Sequence, residues 1–167
     1  IKNLFNYENK SNFNGKTAIN FLNEEIIINY LLKENKILVN SSNDSNNQNI
    51  KLNSKIEIDP FFIDAKIDIN KKDANFFVDY LLYFILNSNE YLGNINGNLT
   101  LFFNDLKNTI INNGKIEFSV KEKEIKLENS IFEIKGIGKL KSDFRYYENE
   151  GDLFFATENV FEIYDKK

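Results

Sequence analysis

From Ile50 onward the apolar side chains fall on every second position. Ile50, Leu52, Ile56 and Ile58 alternate with Lys51, Asn53, Lys55, Glu57 and Asp59. A period of two is that of a β-strand with one apolar and one polar face. After Pro60 the parity flips, and Phe61, Ile63, Ala65, Ile67 and Ile69 become the apolar set. An antiparallel hairpin centred on Asp59 and Pro60 would set Ile58 opposite Phe61, Ile56 opposite Ile63 and Ile50 opposite Ile69, all on one face. Proline cannot adopt the positive φ of the common two-residue turns, so a bulge within one long strand is the alternative that keeps the same face.

The same parity recurs further along. Ile116, Phe118 and Val120 precede Ile125 and Leu127, and pairing 120 with 125 and 118 with 127 closes a hairpin around Glu122 and Lys123. Around Glu148 to Gly151, Tyr146 would oppose Leu153 and Phe144 would oppose Phe155. Other strands are expected at 14–22, 25–32, 35–40, 95–103, 131–137 and 159–164, about ten in all. Successive antiparallel hairpins make a meander. The stretch SSNDSNNQN, residues 41–49, has no apolar residue and is expected to be a connection.

One segment breaks the alternation: DANFFVDYLLYFILNSN, residues 73–89. Asp73 can cap a helix there and Asn87, Ser88 and Asn89 can end it, with only Asn75 and Asp79 polar between them. The helix is apolar nearly all round but too short to span a bilayer, which needs about 20 residues. Phe76, Phe77, Tyr80, Leu81, Phe84 and Ile85 make it a plug or lid. At roughly 22 Å by 10 Å it covers only some of ten strands spaced about 4.8 Å apart. Three covers remain for the rest of the apolar face: the sheet itself as sandwich or barrel, another chain or domain, or a hydrophobic ligand. An ordinary core would use the same residues.

Composition narrows the chemistry. Histidine and cysteine are absent, which removes imidazole bases, thiolate nucleophiles, disulfides and the commonest transition-metal ligands together. No catalytic residue, metal or cofactor is therefore expected, and the chain is read as not an enzyme. The net charge is -4 and the lysines are spread along the chain, so the clustered basic face that nucleic acid requires is missing. The chain begins with Ile1 and has neither a signal peptide nor a long apolar run, so it is expected to be cut from a longer protein.

A family resemblance rests on KIEIDPFFIDAKIDINKKD, the apolar segment after it, LGNINGNLTLFFNDLKN, and NNGKIEFSVKEKEIKLENSIFEIKGIGKL. The strand from Gly97 to Leu101, the entry from Asn113 to Phe118 and the close from Phe132 to Gly138 are the nearest parts. Residues 48–164 resemble the repeating strand pattern of AsmA-like envelope proteins. This resemblance implies a single segment, 1–167, of a longer β-groove: mainly β, a curved antiparallel meander of about ten strands with one apolar helix near the middle. It implies lipid transport by a membrane-anchored Gram-negative envelope protein, in the periplasm and held to the inner membrane by a segment outside this chain. Partners would be a phospholipid or other acyl lipid and neighbouring groove segments of the same chain. The lining that carries over is Ile56, Ile58, Phe61, Ile63, Ile67, Leu99, Leu101, Phe103, Ile116, Phe118, Val120, Ile125 and Leu127. The alternative is a structural or assembly module for outer membrane biogenesis with a dry core; an outer-membrane barrel fits less well, because of the mid-chain helix.

Other motifs fall away on spacing. Gly15, Lys16 and Thr17 resemble the end of a P-loop whose first glycine would have to be Lys10, and Gly136 and Gly138 lack the third glycine of a dinucleotide fingerprint, so a strand bend is expected. Glu24 and Glu25, and Glu122 and Glu124, are expected to be solvated surface rather than carboxylate pairs.

Overall fold

The computed structural model describes residues 2–9, 12–41, 49–73, 79, 95–121, 124–149 and 152–164. They form one sheet of eleven strands whose spatial order is the chain order. The strands are β1 (Lys2–Asn9), β2 (Asn12–Phe21), β3 (Glu24–Lys33), β4 (Lys36–Ser41), β5 (Ile50–Ile58), β6 (Phe61–Asn70), β7 (Gly97–Asn104), β8 (Ile111–Lys121), β9 (Glu124–Ile134), β10 (Gly138–Asn149) and β11 (Asp152–Ile163). The protein is thus mainly β, and the sheet is open, with β1 and β11 at its two edges. Among the described residues β1 and β11 do not pair, so the sheet does not close on itself.

Two hairpin registers agree with the alternation in the sequence. In β5 and β6, Ile58 pairs with Phe61, Ile56 with Ile63 and Ile50 with Ile69. Because Ile58 pairs antiparallel with Phe61, a hairpin through Asp59 and Pro60 rather than a bulge joins the strands. In β8 and β9, Val120 pairs with Ile125 and Phe118 with Leu127.

Four expectations need correction. The sheet is mixed rather than an antiparallel meander, because β6 and β7 run parallel, with Ile63 beside Gly97 and Ile69 beside Phe103. Parallel neighbours need a crossover, and residues 71–96 provide it. The β10–β11 register is two residues from the expected one: Tyr146 pairs with Phe155 and Glu148 with Leu153. A shift of two keeps every side chain on its face, so alternation alone could not detect it. The stretch 131–137 is not a separate strand but the second half of β9, and 159–164 likewise belongs to β11. Finally, β1 was not anticipated.

β9 looked like two strands because it carries a bulge. Glu128 and Asn129 together oppose Asp143, between the pairs Leu127 with Phe144 and Ser130 with Ser142. Asn129 has φ 55°, a left-handed conformation that asparagine tolerates, and its N–H donates to Asp143 Oδ1 at 2.6 Å. The extra residue moves the inward set from Ile125 and Leu127 to Ser130, Phe132 and Ile134. Gly136, with φ 66°, turns the chain from β9 into β10, so its use is a hairpin turn rather than a strand bend. Gly15, Lys16 and Thr17 lie within β2.

The predicted helix over 73–89, with Phe76, Phe77, Tyr80, Leu81, Phe84 and Ile85, lies outside the described residues apart from Asp73 and Asp79. Asp73, the expected cap, bridges Lys107, and its carboxylate accepts a hydrogen bond from the Asn108 side chain.

Candidate functional site: the apolar inner face

Direct cross-strand partners share a face, so the pairings carry one face across the sheet. Ile37, Ile56, Ile63, Gly97, Val120, Ile125, Tyr146 and Phe155 form one continuous row from β4 to β11. A second row runs Ile50, Ile69, Phe103, Gly114, Phe132, Leu140 and Phe161. All thirteen predicted lining residues lie on this inner face.

Burial divides them. Leu101, Phe103, Ile116, Phe118, Val120 and Ile125, on β7 to β9, are buried and belong to one core cluster. Ile56, Ile63, Ile67, Leu99 and Leu127 are half-buried. Ile58 and Phe61, at the β5–β6 turn, are each 43% exposed. The inner face is therefore dry along its centre and open toward the β5–β6 turn. On the far side, Phe155 and Phe161 of β11 are exposed on the same face.

The dry centre depends on a glycine. A side chain at Gly114 would collide with the ring of Phe103, which lies across it and meets the Phe132 ring at 6.0 Å. Removing the side chain from β8 opens the space that Phe103 fills, which leaves Phe103 1% exposed. Each such buried side chain contributes roughly 1.5–3 kcal/mol.

The core also contains residues that sequence reasoning did not place in the lining: Leu22, Ile26, Leu106 and Tyr146, together with Ile50 and Ile69. Parity could have assigned Ile26 and Tyr146, but Leu22 and Leu106 sit off the strands. Leu22, in the turn between β2 and β3, is buried in the core cluster. β4 ends at Ser41, and past its end β3 comes into contact with β5. Lys72 Nζ, just beyond β6, lies 2.7 Å from Glu24 Oε1 and donates to the Leu22 carbonyl at 2.9 Å, while Asn49 Nδ2 donates to Glu24 at 2.7 Å. Burial opposes ionisation of Glu24, but the bonds from Lys72 and Asn49 and the lysine charge outweigh it and hold the carboxyl below its ordinary value. Glu24 is thus a half-buried tie rather than free surface, while Glu25, on the opposite face, is exposed.

From β5 to β10 the outer face carries paired charges. Lys55 with Glu57, Lys66 with Asp68, and Lys115 with Glu117 are neighbours along single strands, and Glu124 takes both Lys126 and Arg145. Lys66 Nζ also sits 4.5 Å from the centre of the Phe102 ring. Hydrogen bonding and charge from Lys55 hold the Glu57 carboxyl low. Exposed pairs of this kind contribute about 0–1 kcal/mol each and mark a face built for water. Glu122 lies outside the described residues.

Among the described residues no three histidine, cysteine or acidic side chains gather as a metal site, and no helix is long and apolar enough to cross a membrane. A hollow beside the β9 bulge, lined by Lys126, Glu128, Asp143, Arg145 and Glu158, mixes both signs of charge. Ser130, 2% exposed on the inner face, has an Oγ without a hydrogen-bond partner among the described residues.

No family model matches the chain, and no curated protein matches it.

Proposed function

We propose that the chain is a non-enzymatic, AsmA-like segment of the bacterial envelope that shelters acyl chains against the open part of its inner face. One observation carries the reading: the inner face is apolar from β5 to β9, yet at the β5–β6 turn its side chains Ile58 and Phe61 stay exposed, while the opposite face of the same two strands carries the Lys55–Glu57 and Lys66–Asp68 ion pairs. Exposed Ile58 and Phe61, leading to half-buried Ile56 and Ile63, form an apolar strip that a hydrocarbon tail can lie along. Each methylene removed from water contributes about 0.8 kcal/mol, and contact without direction lets a tail slide. The wider setting, a periplasmic groove anchored in the inner membrane and joined to neighbouring segments, belongs to the same proposal and rests on the resemblance.

Purified protein titrated with a fluorescent long-chain fatty acid tests the strip. Phe61→Asp and Ile58→Asp are expected to weaken binding by about tenfold, or roughly 1.4 kcal/mol, and Lys66→Ala to leave it unchanged. Binding insensitive to both aspartates would contradict the proposal.

A dry structural or assembly module is the second reading, favoured by the burial of Leu101, Phe103, Ile116, Phe118, Val120 and Ile125. It predicts that no acyl probe binds.

A further inference from the structure

An extra residue in β9 turns a serine inward. Without the bulge, the inner set of Ile125 and Leu127 would continue to Asn129 and Ile131; with Glu128 and Asn129 together opposing Asp143, Ser130 enters the inner face between Leu127 and Phe132. Bulges commonly re-aim one side chain, and they recur beside functional sites. Ser130 is 2% exposed, and among the described residues its Oγ has no hydrogen-bond partner. A buried hydroxyl in that state is destabilising, so native structures nearly always give it one.

Ser130 begins a polar row across a largely apolar face. It pairs with half-buried Ser142 on β10, which pairs with Asn159 on β11. On one side of this row lie Leu127, Phe144 and Thr157, and on the other Phe132, Leu140 and Phe161. Ser142 Oγ donates to Asn159 Oδ1 at 2.6 Å, and Asn159 Nδ2 donates to Thr157 Oγ1 at 3.0 Å. That chain of bonds stops short of Ser130. The Ser142 proton is thereby committed, but its oxygen can still accept, and Ser130 Oγ can both donate and accept.

We propose that Ser130 and Ser142 form a binding site for a hydroxyl carried in the middle of an aliphatic chain. Directly opposed side chains have Cβ atoms about 4.5–5.5 Å apart, so one ligand oxygen between them reaches both. The ligand hydroxyl accepts from Ser130 Oγ and donates to Ser142 Oγ, which satisfies the orphan. A ketone or an ether has no proton to give and completes only the first bond. Rows on one face of a strand lie about 6.8 Å apart. A chain running along β9 and β10 therefore sets carbon against Leu127 and Phe144 on one side of its hydroxyl and against Phe132 and Leu140 on the other. A terminal alcohol would leave one of these rows bare. The site rests on the proposed affinity of the inner face for acyl chains, but it lies three strands from the β5–β6 strip, across the buried centre.

Calorimetric titration of the full chain with 12-hydroxyoctadecanoate and with octadecanoate tests it. The natural chain is expected to prefer the hydroxylated acid by about tenfold, the effect of one buried hydrogen bond. Ser130→Ala is expected to abolish the preference, to leave octadecanoate binding unchanged, and to hold or raise the urea midpoint, since it removes an unsatisfied group. Ser142→Ala is expected to reduce the preference, and Ser119→Ala, on the outer face opposite Lys126, to keep it. Octadecanoate binding with no preference for the hydroxyl would overturn this site and spare the strip, whereas a chain that binds neither acid would overturn both. A preference that survives Ser130→Ala would also overturn it. So would a loss of stability in Ser130→Ala, the result expected if an ordered water satisfies the hydroxyl.

Discussion

At the scale of single residues, the inner face behaves as two materials. Phe118 is 2% exposed in the core, whereas Phe61 on the same face is 43% exposed. Phe118→Ala is expected to cost about 3–5 kcal/mol of stability, and Phe61→Ala well under half of that, as read from urea midpoints. Gly114 is the complementary case: Gly114→Val drives a side chain into the space of Phe103 and is expected to cost about 1–3 kcal/mol. The alternation of Ile116, Phe118 and Val120 told which way these side chains point. It could not tell which were dry, because burial depends on what lies above the sheet, and a repeat of two carries no information about that layer. Ser130 was illegible for a related reason. A serine in an apolar alternation reads as an interruption until the bulge at Glu128 and Asn129 turns it inward.

At the scale of elements, hairpins were legible where the parity of the apolar positions flipped across a short turn. Parity placed the β5–β6 and β8–β9 pairings, although the proline at the first turn had left a bulge as the alternative. The β10–β11 hairpin allowed two such pairings, differing by two residues, and the faces were right while the register was not. The parallel β6–β7 step was missed although its sign was present, since a helix between two strands is the usual way of making a crossover. The Glu24 tie was not legible at all: Glu24, Asn49 and Lys72 lie far apart in sequence and meet only in the assembled sheet. That tie gives a dependence on pH. Since folding lowers the Glu24 pKa, the tie stabilises the protein fully above the ordinary carboxylate range and is lost as pH falls through the folded value. Urea denaturation of Glu24→Gln against the natural chain is expected to differ by about 1 kcal/mol at neutral pH and to converge in acid. A difference independent of pH would mean that Glu24 contributes through packing and not through its charge. Glu133 and Glu162 are also held low, by bonds from Asn113 and Tyr164 and from Lys141, so acid weakens the outer face in the same direction.

At the scale of the whole molecule, eleven strands in chain order make a broad open sheet with chemically distinct faces. Such a sheet must cover its apolar side. The centre is buried, whereas the strip from Ile56 to Phe61 stays partly exposed. The proposal gives that strip to hydrocarbon. Photo-cross-linking in cells tests the central claim most directly, with the reactive residue placed at Ile58, Phe61 or Ile63 on the inner face and at Lys66 or Lys115 on the outer. The account predicts lipid adducts at the first three positions and none at the two lysines. Equal labelling of both faces, or none on either, would contradict it.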